Sequence, residues 1–164
     1  MAAFSTFLAN LISGTNFDPE VAEDLFEKLH DTGTWTPTIQ DASLSDAEGQ
    51  TYSKQDGRYL RVGDWVFAMG TVTWTTLGTL TTTEQVRLAG LPYDCDDADI
   101  GFFYANDYSG LALSNSGVSG TPVAGNSLFI LKETGPTTSA SNLLISELSD
   151  AGSIQFVLGY YCTA

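Results

Sequence analysis

The 164-residue sequence has few of the residues on which most enzymes and nucleic-acid-binding proteins depend. Its single histidine, His30, excludes histidine-rich metal sites and gives little basis for a Ser-His-Asp triad. The sequence has only 6 Lys and Arg but 20 Asp and Glu, which gives a net charge of −14. A protein of this charge repels nucleic acid and anionic lipid. No apolar run reaches the roughly 18 residues of a membrane-spanning helix. We therefore expect no nucleic-acid partner, no membrane partner and no cofactor.

Cysteine is also scarce. Cys95 and Cys162 are too few to form a disulfide framework for a chain of this length. They would pair if the last strand lies beside the loop of Cys95. Two buried or half-buried free thiols are the favoured interpretation.

The best candidate for a metal site is the acidic run Asp94–Asp99, which contains four carboxylates. Calcium prefers several oxygen ligands that converge from one loop. The run lacks the glycine and the distal glutamate of an EF-hand, so a solvated acidic loop is the prediction and calcium the alternative. We expect no metal site.

Half of the basic residues lie close together, at Lys54, Arg58 and Arg61. Local pairing with Asp56 and Asp64 is the simpler interpretation of this cluster. A contact with an acidic neighbouring subunit is the functional one.

The first 31 residues have the periodicity of helices. Asp18-Pro19 is typical of a helix start, and His30 is predicted near the end of that helix. The predicted segment, residues 1–32, either folds back on its own domain or serves as an anchor or oligomerisation element. In the second case the candidate capsid-attachment residues are the apolar ones at helical spacing, Phe4, Phe7, Leu8 and Leu11.

From Gly33 onward the pattern is that of β-strands. Eight to ten strand-like segments are separated by turn residues, which is typical of a β-sandwich or barrel. Turns are predicted at Asp56-Gly57 and Gly63-Asp64, and the longest strand over Trp65–Thr75. The stretch 117–120 is placed between strands.

Two of these strands are apolar on both faces. After Trp65, one face carries Trp65, Phe67 and Met69, and the other carries Val66, Ala68, Val72 and Trp74; the last strand repeats the pattern. A lone antiparallel sheet has polar residues on its solvent face, so something is expected to cover the second face. The N-terminal helices are one candidate, and another subunit is the favoured one, with Trp65, Phe67 and Met69 at the interface.

Three stretches of the β region together resemble a domain of tailed-phage structural proteins. They are Gly33–Pro37, Gly57–Thr73 and Gly90–Tyr93, which give a G-x-W-x-P strand, a G-x-Y-x-x-x-G-x-x-V hairpin and a G-L-P-[FY] corner. This domain resembles the carboxy-terminal module of phage tail fibres, head fibres and capsid decorations. The resemblance implies a jelly-roll-like, trimeric domain with a structural role and no catalytic site.

The fold prediction is mainly β: a jelly-roll-like antiparallel β-sandwich over residues 33–164, with a short N-terminal α-helical segment over residues 1–32. The functional hypothesis is a homotrimeric virion protein, assembled in the host cytoplasm, that contacts the major capsid protein or another virion protein. It would act as a capsid decoration, cement or head-fibre protein, because no long fibre shaft precedes the domain.

The alternative is a receptor-binding tail-fibre or spike tip that recognises a host surface glycan. It depends on aromatic and acidic residues expected in exposed loops, such as Tyr104, Asp107 and Tyr108. An enzyme such as a polysaccharide depolymerase has little support, and we expect no catalytic residues.

Overall fold

The computed structural model describes residues 30–43, 48–114, 117–135 and 139–162. The predicted helical segment up to residue 29, with the candidate attachment residues Phe4, Phe7, Leu8 and Leu11, lies outside these ranges. Within them the structure is built from β-strands and one 3₁₀ turn, Ile145–Glu147. No helix among the described residues combines the length and hydrophobicity needed to cross a bilayer. The strands are β1 (His30–Trp35), β2 (Thr38–Gln40), β3 (Thr51–Val62), β4 (Trp65–Thr76), β5 (Arg87–Ala89), β6 (Gly101–Leu111), β7 (Gly117–Pro122), β8 (Leu128–Thr134), β9 (Ser141–Asn142) and β10 (Leu148–Tyr161).

All the strand pairs are antiparallel and belong to one sheet in the order β1-β3-β4-β10-β6-β7-β8-β5-β2, with β9 beside β8. The two ends of this order, β1 and β2, are consecutive in the chain and only Thr36 and Pro37 separate them. The sheet must therefore curl until its edge strands approach each other. The prediction of a mainly β, antiparallel fold is confirmed, whereas this strand order does not confirm a jelly roll.

The core fills the inside of the curled sheet. On β4, the inward side chains Val66, Ala68, Val72 and Trp74 are at most 4% exposed. On β10, the inward residues alternate in the same way, because successive side chains of a strand point to opposite faces. The core residues contributed by β10 are Ile154, Phe156, Leu158 and Tyr160.

The hairpin between β3 and β4 has the predicted turn at Gly63-Asp64. Val62 pairs with Trp65, so the loop has two residues, and Gly63 has a φ of 59°, which favours glycine. The predicted turn at Asp56-Gly57 is wrong, since β3 continues through both residues. Gly57 is needed for a different reason: a Cβ there would lie 2.5 Å from Nε1 of Trp35.

Two other strand assignments differ from the sequence prediction. His30 begins β1, paired with Val62, so it lies on a strand and not on a helix. Gly117–Pro122 forms β7 between β6 and β8, whereas the sequence pattern predicts that the stretch 117–120 lies between strands. Its inward positions are Val118, Gly120 and Pro122, and of these only Val118 gives an apolar signal.

Candidate interaction surface on the outer sheet face

Large apolar side chains cover part of the solvent side of β3, β4, β10 and β6, which we call the outer face. Outward from β4, Trp65, Phe67 and Met69 are 37%, 45% and 57% exposed, although Val66 and Ala68 between them are buried. These three are the residues that the sequence predicted for an interface. With five more exposed apolar residues from the adjoining strands they form the apolar patch, which is Leu60, Val62, Trp65, Phe67, Met69, Phe102, Tyr104 and Val157.

The strand register arranges the apolar patch in rows that cross the sheet. Residues paired across antiparallel strands have neighbouring side chains on the same face. One row runs from β3 to β10 at the hairpin end, and two more run across all four strands. These rows are Val62, Trp65 and Tyr161; Leu60, Phe67, Gly159 and Phe102; and Arg58, Met69, Val157 and Tyr104.

Aromatic rings pack side by side within the patch. Trp65 stacks on Phe67 with centroids 6.2 Å apart, and it meets Tyr161 edge-on at 6.1 Å. Gly159 makes room for Phe102, because a Cβ at Gly159 would lie 2.4 Å from Cε1 of that ring. The rings therefore lie across the outer face as a broad surface.

Two shallow depressions interrupt the apolar patch. The first, about 370 Å³, is lined by Val62, Trp65, Phe67 and Phe102. The second, about 380 Å³, lies around Phe67, Met69, Phe102 and Val157, with Arg58 at its rim. Soluble monomers rarely expose so many contiguous apolar side chains, so a surface of this kind indicates a binding face.

The other end of the outer face is polar. There a cleft of about 340 Å³ crosses the same strands, and we call it the polar cleft. Lys54, Asp56 and Arg58 line it from β3, and the amide side chains of Gln155 and Asn106 line it from β10 and β6. Lys54 and Arg58 thus project to the outer face together.

Arg61, the third member of the predicted basic cluster, lies on the opposite side of β3. Its guanidinium is 4.6 Å from the ring centroid of Tyr93, and its Nε donates to the carbonyl of Gly63 at 2.8 Å. The cluster is therefore divided between the two sides of the strand.

Tyr93, from the Gly90–Tyr93 corner, takes part in a polar contact that holds the edge strand β1. The hydroxyls of Tyr93 and Tyr59 both donate to Oδ2 of Asp31, the second over 2.9 Å. These hydrogen bonds hold the pKa of the Asp31 carboxyl below its usual value. Burial, with the hydrogen bond to Asp31, raises the pKa of Tyr59 to about 12.

Cys95 and Cys162 are free, buried thiols, as predicted. The backbone N–H of Asp96 donates to the carbonyl of Tyr161 at 2.9 Å, so the Cys95 loop does lie beside the end of the last strand. Burial raises the pKa of Cys95 to about 12 and also raises that of Cys162. Neither thiol is placed for chemistry at the surface.

The acidic run Asp94–Asp99 forms a loop before β6. Asp97 accepts a hydrogen bond from the backbone N–H of Asp99 at 2.8 Å, as in an ordinary turn. In the described part of the chain, no three His, Cys, Asp or Glu side chains are grouped so that they could hold a metal ion.

The residues expected in glycan-binding loops are instead part of strand β6. Tyr104 and Asp107 are exposed on the outer face, and Tyr108 packs against the core. The prediction that they lie in loops is wrong, because β6 continues as far as Leu111 through its pairing with β10.

Sequence reasoning identified the residues of β4 in the apolar patch but missed those of β3 and β6. Leu60 and Val62 alternate with Tyr59 and Arg61, so the same two-face pattern was present in a more polar strand. The register adds the information that was missing, since it places these residues beside Phe67 and Trp65.

Comparison with solved structures shows a similarity of fold. No protein-family model matches the sequence, and no curated protein matches it. The chain is similar to the crystal structure of the Dettilon tailspike protein (gp208), with a TM-score of 0.64 and 18% sequence identity. The similarity covers 82% of this chain and 24% of the other, so this chain spans about a quarter of the tailspike's length. At this identity the match shows a shared fold.

Proposed function

We propose that this protein is a structural protein of a phage virion, a homotrimer that binds the capsid as a decoration, cement or head-fibre protein. The observation that carries the proposal is the apolar patch. Its eight exposed apolar residues lie on one face of the sheet. A second copy of the chain on that face would remove them from water.

Burial of the patch supplies a sufficient driving force for association. A fully buried large apolar side chain contributes roughly 1.5–3 kcal/mol. Trp65, Phe67 and Met69 lie on β4, one of the two middle strands of the face, and are each more than a third exposed. These are the residues that we propose for the centre of the trimer interface.

A sequence resemblance and a fold similarity support the role as a virion protein. The sequence resembles phage tail fibres, head fibres and capsid decorations, and the fold is similar to part of a protein named a tailspike. The proposed role is non-catalytic, and we expect the purified protein to leave polysaccharides uncleaved. We propose Phe4, Phe7, Leu8 and Leu11 as the residues that attach the trimer to the major capsid protein or another virion protein.

Sedimentation equilibrium over a range of protein concentrations tests the homotrimer. We expect a trimer for the full chain and a shift toward monomer for the double variant Phe67→Ser/Met69→Ser. Both side chains are exposed, so the variant should fold. Thr73→Ser, on the polar part of the same strand face, is the matched control. A full chain that stays monomeric at high concentration would contradict the proposal.

Imaging of purified particles tests the location in the virion. Density over the capsid shell is expected for a decoration or head-fibre protein. Density confined to the tail would favour the alternative, a receptor-binding tip for a host surface glycan.

A further inference from the structure

The charged side chains of the outer face are distributed unevenly between its two sides. At the polar end, β3 presents Lys54, Asp56 and Arg58, and β6 presents Asp107, all of them exposed. At this end the β3 side thus carries two cations and one carboxylate, a local net charge of +1. The β6 side carries one carboxylate.

These charges lie at matching heights along the strands. Asp56 pairs with Thr71, Thr71 with Gln155, and Gln155 with Asp107. Asp107 therefore lies level with Asp56, between the heights of Lys54 and Arg58. The two sides of the face are about three strand spacings apart, roughly 14 Å, which is too far for these groups to pair within one copy.

The way in which two copies are related decides which charges meet. Rotation about an axis parallel to the strands brings the β3 side of one face to the β6 side of the next, at the same height. Lys54 and Arg58 then meet a carboxylate that balances the extra cation. Rotation about an axis perpendicular to the strands in the plane of the face brings β3 against β3 with its direction reversed. Lys54 and Arg58 then lie opposite β3 of the next copy and do not reach its Asp107, which lies on β6.

The size of the face suits such a contact. Four strands of about twelve residues, at ~3.4 Å per residue and ~4.8 Å per strand, measure roughly 40 by 19 Å. A stable interface buries about 800 Å² on each partner, so nearly the whole face would be used.

We infer that a second copy of this chain occupies the outer face, related by an axis parallel to the strands. Lys54 and Arg58 of one copy contact Asp107 of the next, and Trp65, Phe67 and Met69 lie near the axis. This inference rests on the proposed self-association and adds the orientation of the copies. Charge pairs at the rim select one arrangement of the apolar patches over others.

Charge reversal tests the pairing through the dissociation constant of the oligomer in low salt. Arg58→Glu places like charges against Asp107 of the next copy, and Asp107→Arg places like charges against Lys54 and Arg58. Each is expected to raise the dissociation constant about tenfold. The double variant Arg58→Glu/Asp107→Arg is expected to recover most of that loss.

Lys132→Glu, on β8 and away from the outer face, is the control, because it makes the same change in net charge as Arg58→Glu. Near-ultraviolet circular dichroism verifies that each variant folds. A wild-type oligomer that is insensitive to the reversals, or a double variant that does not recover, would overturn the inference and leave the proposed self-association standing. A wild-type monomer would overturn both. A dimer that responds to the reversals and recovers would support the orientation and contradict the trimer.

Discussion

Glycine residues allow large aromatic rings to lie directly on the sheet backbone. The indole of Trp35 lies over Gly57, and it packs against Phe156 with ring centroids 5.8 Å apart. Trp35 is in the core, so it cannot move aside into solvent. The contact explains why a glycine occupies the middle of β3, where it would otherwise weaken the strand.

Gly57→Ala is expected to destabilise the protein by about 1–3 kcal/mol, because the added methyl forces the indole out of a packed position. Urea unfolding at a fixed protein concentration measures the change. Ser53→Ala, at an exposed position of the same strand, is the control and should change stability by less than about 0.5 kcal/mol. An equally small effect of Gly57→Ala would show that the Trp35 packing tolerates the methyl group.

The two thiols give a second prediction for individual residues. With the pKa of Cys95 raised to about 12, very little thiolate exists at pH 8. We expect a disulfide reagent such as DTNB to leave both Cys95 and Cys162 unmodified in the native protein and to modify both in urea. Rapid modification of the native protein would mean that the end of β10 opens readily.

At the residue scale, the sequence shows that a glycine is compatible with a turn, but it does not show which structural constraint requires the glycine. The pair Asp56-Gly57 has the composition of a hairpin turn, and it predicted one. In the structure, the absence of a side chain at Gly57 allows the indole of Trp35, from another strand, to approach the backbone closely. No local pattern around Gly57 contains that information, because it depends on the pairing of β1 with β3.

Among the elements, β1 is one of the two edge strands of the sheet, and within the described residues it pairs with β3 alone. A polar contact also holds β1 in place, because Asp31 accepts hydrogen bonds from the hydroxyls of Tyr59 and Tyr93. These hydrogen bonds favour the ionised carboxylate and lower its pKa. The contact therefore stabilises the folded state above the usual pKa of Asp, about 3.9, and is lost as the pH falls through the lower folded-state value.

Asp31→Asn should reduce stability at pH 7, and the difference from the wild type should shrink as the pH falls below about 4. Urea unfolding of both proteins at a series of pH values tests this. Asp94→Asn, an exposed carboxylate of the acidic loop, is the control and should show little difference at any of these pH values. A constant gap between wild type and Asp31→Asn would mean that the charge of Asp31 plays no part.

For whole elements, the alternation of side chains between the two faces predicted strands correctly where those side chains are large. In β4 and β10 it predicted both the strands and the presence of a second apolar face. It failed for β7, whose inward positions include Gly120 and Pro122, and for the part of β6 that the sequence assigns to loops, where Gly110 and Asp107 resemble turn residues. In both cases pairing with a neighbouring strand decides the structure. The sequence of a single segment does not show which strand it will pair with.

At the scale of the whole molecule, self-association has to overcome a large net charge of one sign. Each copy carries −14, and bringing copies together increases the repulsion between them. The apolar patch supplies attraction that does not depend on charge. The proposed contacts of Lys54 and Arg58 with Asp107 supply a smaller local attraction, because exposed ion pairs are worth only about 0–1 kcal/mol.

Salt should therefore strengthen the oligomer. The Debye length falls from about 10 Å at 0.1 M to about 3 Å at 1 M, so salt screens the long-range repulsion most and the close ion pairs least. We expect the dissociation constant to fall several-fold between 20 mM and 500 mM NaCl in sedimentation equilibrium. For Arg58→Glu, whose local contact is already repulsive, the fall should be steepest. Lys132→Glu increases the net charge equally but changes no proposed contact, so its fall should lie closer to that of the wild type. Dissociation of the wild type at high salt would mean that ion pairs, and not the apolar patch, hold the copies together.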